Sequence, residues 1–180
     1  MSAEKLPGGP TQDEVLAVSL FKLGIREGDI VLDCGCGTGK VAIAAARTAA
    51  HVVAIDKRPE AIRFAKREAK KSKSRNIEFL NKDATEFLGS DDRIFDCAFV
   101  GGSNALAVFL PLLSKRVLRS IVVNAVLLDT LHAAVRIMND LGIFCEVVHV
   151  QTSRSYNIGG SVMFRPHDPV FIIVGKGAAC

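Results

Sequence analysis

The run Ile30-Val31-Leu32-Asp33-Cys34-Gly35-Cys36-Gly37-Thr38-Gly39 ends an apolar stretch in an acid and then turns through glycines at every second position. Lys40-Val41-Ala42-Ile43-Ala44-Ala45-Ala46 follows, alanine-rich and helix-forming. Strand, glycine turn and helix in that order build a nucleotide-type cofactor site. Spacing and charge narrow the ligand. A dinucleotide fingerprint leaves two residues between its second and third glycines and aims a helix N-terminus at a pyrophosphate. Here only Thr38 separates Gly37 from Gly39, and Asp33 would repel a pyrophosphate. The same carboxylate attracts a cation, such as the ammonium and sulfonium of S-adenosylmethionine. Asp33, Gly35, Gly37 and Gly39 are therefore candidate cofactor residues, the glycines because they tolerate positive φ and a close ligand.

Two more acids follow strand-like runs. Asp56 ends His51-Val52-Val53-Ala54-Ile55 and can accept both ribose hydroxyls of an adenosine, or cap the next helix. Asp83 lies past Ile77-Glu78-Phe79-Leu80, where it can accept from an adenine amino group while the Ala84 amide donates to the ring. Asp83 can equally cap a helix opening at Ala84-Thr85-Glu86. Gly101-Gly102-Ser103-Asn104 breaks the run Phe95–Val100, at the place where a transferred group meets its acceptor. It lacks the prolines and aromatic of a base-stacking clamp, and its glycines leave room for something wide. Gly101, Gly102, Ser103 and Asn104 are read as substrate-binding, with Asn104 also a catalytic candidate or a plain loop residue.

These positions need a frame. Strand-like runs alternate with helix-like segments along the chain, which predicts an α/β fold with a largely parallel sheet. The expected strands are Ile30–Asp33, His51–Ile55, Ile77–Leu80, Phe95–Val100, Ser120–Ala125, Phe144–Val150 and Pro169–Val174. Helices separate the first six, and a polar loop joins the last two into an antiparallel hairpin. The doubly wound, Rossmann-like sheet has helices on both faces and collects ligands at its C-terminal edge. Thr11-Gln12-Asp13-Glu14 matches a capping box for a first helix, with Thr11 as cap and Glu14 reaching back. The helix after Pro59 carries Arg63, Lys66, Arg67, Lys70, Lys71 and Lys73 around a stripe of Ile62, Phe64, Ala65 and Ala69.

The chain has 180 residues, 49% of them hydrophobic, which suits a single domain over residues 1–180. The expected setting is cytoplasmic, with no membrane partner: no apolar run approaches a span and the N-terminus lacks a secretory core. A net charge of +4 permits an anionic substrate without requiring nucleic acid. The five cysteines, Cys34, Cys36, Cys97, Cys145 and Cys180, form no metal or redox spacing, so no metal is expected and they are read as packing thiols.

Taken together, these features resemble class I S-adenosylmethionine-dependent methyltransferases. Gly9-Pro10-Thr11, Asp33 through Gly39, Ala54-Ile55-Asp56, Pro59-Glu60-Ala61, Val100-Gly101-Gly102-Ser103 and Asn124-Ala125-Val126-Leu127-Leu128 are more narrowly similar to one family of cobalamin biosynthesis. Its members methylate carbon 15 of cobalt-precorrin-6B or precorrin-6B and decarboxylate the carbon 12 acetate. The resemblance implies that Thr11, Gly35 through Gly39 (Cys36 and Thr38 included), Asp56 and Ala84 contact the cofactor. It adds Asn124 to the substrate side and suggests a homotetramer. Ser153-Arg154-Ser155 and Gly159-Gly160 look like the family's loop before the last strand. The chain departs from the pattern at Asn104-Ala105, where the family often has a second glycine pair. It departs again at Arg116-Val117-Leu118-Arg119, where Pro-Gly-Gly is common and where a shortened turn is expected.

The implied substrate is an anionic tetrapyrrole. Arg154 is read either as a ligand for one of its carboxylates, and so a second catalytic candidate, or as a surface arginine. The competing readings are a tRNA or other RNA methyltransferase of the same fold, supported by the basic helix, and a non-enzymatic Rossmann-like binding protein. The chain's one tyrosine and absence of tryptophan leave few stacking platforms for RNA.

Overall fold

The computed structural model describes residues 11–102 and 105–178. In chain order it runs α1 (Asp13–Leu23), β1 (Ile30–Cys34), α2 (Lys40–Ala45), β2 (His51–Ile55), α3 (Pro59–Lys71) and β3 (Ile77–Leu80). Next come α4 (Ala84–Ser90), β4 (Phe95–Val100), α5 (Leu106–Ser114), β5 (Val117–Ala125) and α6 (Leu128–Asp140). The chain then forms β6 (Phe144–Val150), β7 (Ser153–Ile158), β8 (Ser161–Pro166) and β9 (Val170–Lys176). Seven strands make one sheet in the order β3-β2-β1-β4-β5-β9-β6. The first five are parallel, and β9 is antiparallel to both β5 and β6.

The near-continuous apolar strands are explained by burial on both faces. Alternate residues serve opposite layers. Leu32, Val53, Ala98 and Ile121 pack with Phe87 of α4, Leu110 of α5 and Met138 of α6. Val31, Val52, Cys97 and Val122 pack with Val15 of α1, Val41 of α2 and Ile62 of α3. The register aligns Cys34 with Ile55 and Val100, Ile55 with Leu80, and Val100 with Val123. Gly35, Asp56, Asn81, Gly101 and Asn124 therefore stand side by side along one edge. Order reverses between β1 and β4, the switch point where open α/β sheets bind ligands.

Several local expectations are corrected. The polar segment between β6 and β9 is a two-stranded ribbon: β7 pairs antiparallel with β8 around Gly159 and Gly160, both at positive φ. That positive-φ pair supplies the hairpin turn. Thr11 does not cap α1. The cap position is Gln12 and no side chain caps it, while Glu14 turns away to Arg154 at 3.0 Å. A nearby cation wins over the reciprocal cap. The turn before the fifth strand is only Lys115 and Arg116, but most of the run Arg116-Val117-Leu118-Arg119 is not part of it. From Val117 it is strand, and Arg119 reaches Asp29 at 2.5 Å. On α3 the buried stripe is Ala61, Ile62, Ala65 and Ala69; Phe64 lies at the margin, with the Arg67 guanidinium 4.9 Å from its ring centre.

Ala105 precedes α5 at φ 57° and ψ 32°, in the left-handed region. Glycine would hold this turn without the ~1–2 kcal/mol that a Cβ costs there.

Candidate functional site

The glycine turn is fixed by backbone bonds across the sheet. The Gly35 and Cys36 amides both donate to the Ile55 carbonyl, at 2.8 and 2.9 Å, and the Gly101 amide donates to the Cys34 carbonyl at 2.8 Å. Each glycine has a separate reason. A Cβ on Gly35 would lie 3.1 Å from the Gly102 amide, and one on Gly39 would lie 2.8 Å from the Ala65 Cβ. A Cβ on Gly37 would meet only the Arg58 guanidinium, at 3.7 Å, and the Gly35 carbonyl, at 3.9 Å. Gly35 and Gly39 let the backbone pack against β4 and α3, whereas Gly37 is bare toward the cleft. All three have positive φ.

Asp33 has the strand parity of Val31 and faces the α1–α3 layer. The residue is 1% exposed, and among the described residues neither carboxyl oxygen has a partner within hydrogen-bond distance. Burial pushes its carboxyl up to about 7; the Ala42 amide opposes this, and the neighbouring Asp56 charge adds to it. An orphaned buried carboxylate costs several kcal/mol. Its position on a cavity wall shows where a cation would recover that cost. The adjacent thiols of Cys34 and Cys36 are buried and pushed up by that burial, so they stay protonated and fill space.

Asp56 is fully engaged. Its Oδ1 accepts from the Arg58 amide at 3.0 Å and from Nε at 3.1 Å; its Oδ2 accepts from the Gly37 amide at 2.9 Å and from Arg58 Nη2 at 3.1 Å. Burial pushes this carboxyl up, but the Arg58 and Gly37 donors outweigh it and hold it below the ordinary range. Asp83 is the observed cap of α4, its Oδ1 accepting from the Thr85 amide at 2.9 Å and the Glu86 amide at 3.3 Å. It also stands on a cavity wall, so capping and facing the cleft coexist.

Two cavities flank the turn. One, of about 290 Å³, is lined by Asp56, Asp83, Ala84, Gly102 and Phe109, among others. The other, of about 600 Å³, is lined by Thr11, Asp33, Cys36, Gly37, Thr38 and Asn124, with Phe99, Val126 and Val170 as its apolar wall. Asn124 is held by Ser19 of α1, 3.1 Å from Nδ2 to Oγ. The first cavity has the acceptors that an adenosine needs, and the second has the buried acid that an ammonium needs. Gly35 and Gly101 line both. Every predicted cofactor residue except Gly39 thus comes to one or both cavities, and Gly39 serves the packing beneath.

Of the predicted substrate residues, Gly101, Gly102 and Asn124 line the cavities, while Ser103 and Asn104 fall outside the described residues. Arg154 sits on β7, paired with Glu14 at 3.0 Å and Asp13 at 3.6 Å. Sequence reasoning missed Arg58, which lines both cavities, and Lys40, Gln12 and Asp168, which line the larger one. The available signal for Arg58 was its place two residues after a strand-end acid. Among the described residues, no cluster of His, Cys, Asp or Glu is arranged to hold a metal, and no helix is long and apolar enough to cross a membrane.

A model described as a precorrin methyltransferase domain matches residues 6–176. The chain belongs to that family. Within the precorrin methyltransferase family, it is 47% identical over 176 residues to a protein of Methanosarcina acetivorans, covering 96% of both chains. That protein bears the name "Probable cobalt-precorrin-6B C(15)-methyltransferase (decarboxylating)". Among solved structures, a precorrin 8W decarboxylase of Methanobacterium thermoautotrophicum superposes with a TM-score of 0.91 at 29% identity, over 96% of this chain and 95% of that one. A precorrin-6y C5,15-methyltransferase of Geobacter metallireducens gives a TM-score of 0.89 at 31% identity, over 96% and 94% of the two chains.

Proposed function

We propose that this chain is an S-adenosylmethionine-dependent C-methyltransferase of corrin-ring assembly. It methylates carbon 15 of cobalt-precorrin-6B and decarboxylates the carbon 12 acetate. The observation carrying the cofactor half is the orphaned Asp33 carboxylate beside an open glycine turn. Support for the substrate half is the match along nearly the whole chain to relatives named for that reaction.

When bound, S-adenosylmethionine supplies a methyl group already activated on its sulfonium. Asp33 would receive the ammonium, Asp56 the ribose, and Asp83 with the Ala84 amide the adenine. Thr11, Cys36 and Thr38 would line the methionine side. The protein's own work is positional: holding a carbon nucleophile in line supplies on the order of 7–11 kcal/mol. Gly101 and Gly102 keep the floor at the end of β4 free of side chains. Phe99, Val126 and Val170 make an apolar wall, and an apolar place favours a carboxylate that leaves as uncharged carbon dioxide.

The test is incubation with methyl-labelled S-adenosylmethionine and cobalt-precorrin-6B, followed by mass spectrometry. The expected product has gained one methyl and lost one carbon dioxide; no methyl incorporation overturns the proposal. A single domain over residues 1–180 and a cytoplasmic setting belong to the same reading. So does a homo-oligomer, expected as a tetramer, for which the ribbon offers exposed Val162, Met163 and Phe164. Arg154 is proposed to exchange its acidic partners for a substrate carboxylate. Arg154→Ala is then expected to raise the substrate KM about 3- to 5-fold with kcat near wild type, as fits an exposed ion pair. An unchanged KM would leave Arg154 a surface arginine.

A further inference from the structure

Among the described residues, Arg58 is the one side chain, beyond the backbone of Gly35 and Gly101, that lines both cavities. Its guanidinium grips Asp56 as a fork, Nε to Oδ1 and Nη2 to Oδ2, each at 3.1 Å. It also overhangs the glycine turn, 3.7 Å from where a Gly37 Cβ would stand. A ribose diol on Asp56 needs acceptor sites that these bonds fill. The Gly37 and Arg58 amides are fixed by the chain, so the guanidinium is the donor that can leave.

On leaving, it remains a half-buried cation beside the methyl-transfer cleft. A planar guanidinium released from one carboxylate is matched best by another.

We propose that Arg58 is a substrate-binding residue, exchanging Asp56 for a carboxylate arm of the tetrapyrrole once the cofactor's ribose takes Asp56. This rests on the function proposed above. It makes cofactor binding the first step and selects a free carboxylate over an amide or ester at that arm. Because coupling between two ligands is reciprocal, each then tightens the other.

The test measures binding rather than turnover. S-adenosylhomocysteine affinity is read by calorimetry, and cobalt-precorrin-6B affinity by absorbance, each with and without the other ligand. In the wild-type protein S-adenosylhomocysteine is expected to tighten substrate binding at least tenfold. Arg58→Ala should abolish that coupling and weaken substrate binding at least 30-fold, with S-adenosylhomocysteine bound as tightly as before or more so. Arg58→Lys keeps the charge without the fork and should fall between. If Arg58→Ala weakens S-adenosylhomocysteine as much as substrate, Arg58 merely supports Asp56 and the proposal fails. Unchanged substrate affinity or coupling in that variant overturns it too. Failure of the wild-type protein to bind cobalt-precorrin-6B at all, with S-adenosylhomocysteine bound, overturns the function and this proposal together.

Discussion

Asp33→Asn is expected to weaken S-adenosylhomocysteine binding about 10- to 100-fold, while making the cofactor-free protein more stable at pH 8. The loss corresponds to a charge-assisted hydrogen bond worth roughly 1.5–3 kcal/mol. The gain follows from removing a buried charge that has no hydrogen-bond partner among the described residues. The pH dependence separates the two effects. The folded carboxyl is raised to about 7 from the ordinary 3.8. Between those values the folded protein keeps a proton that the unfolded chain has released. Stability of the cofactor-free protein therefore falls as pH rises from ~4 to ~7, by up to ~4 kcal/mol at 1.36 kcal/mol per pH unit. It is level above that range.

The D33N protein should lack this slope, so the two thermal-melting curves should converge near pH 4 and separate toward pH 8. The wild-type protein should also release a proton on binding S-adenosylhomocysteine near pH 6, visible by calorimetry in buffers of different ionisation enthalpy. A D33N protein less stable than wild type at pH 8 would show that the carboxylate is already satisfied, and would remove the main support for the ammonium site.

Gly39→Ala should give the largest loss of stability. Gly39 lies at φ 76°, and its added Cβ would sit 2.8 Å from the Ala65 Cβ and 3.2 Å from its Cα. Ala65 is fully buried on α3, so neither partner can step aside. The left-handed backbone costs ~1–2 kcal/mol and overpacking ~1–3 kcal/mol. A total of about 2–5 kcal/mol is a large share of a domain's margin and corresponds to a melting point lower by roughly 5–20 °C. The measurement is thermal unfolding without ligand. A melting point within a degree or two of wild type would mean that α2 and α3 separate freely, and that the third glycine serves the ligand rather than the packing.

Much of the fold could be read directly because its causes are local. Four- to seven-residue apolar runs bounded by glycine and acids are strands whatever surrounds them, and all seven of the expected ones lie in the main sheet. The ribbon escaped this reading because Ser153–Ile158 and Ser161–Pro166 are mostly exposed and carry no clear alternation of apolar and polar residues. The capping box failed for a related reason. Its spacing was right, but Arg154, 140 residues away, offered Glu14 a charged partner.

The sequence by itself determined the parallel sheet, the glycine turn, and the acids at the ends of the first three strands, since each is set by residues adjacent in the chain. Only the tertiary structure decided what those acids do before a ligand arrives. Asp33 is stranded because strand parity points it into a buried layer where, among the described residues, no donor comes within hydrogen-bond distance. Asp56 is occupied because the chain bends back and lays Arg58 across it. Asp83 caps the first turn of α4 through Oδ1 while still facing the cleft. Burial and pairing are properties of neighbours brought from elsewhere in the chain, and they turn three similar carboxylates into an empty receptor, a held latch and a helix cap.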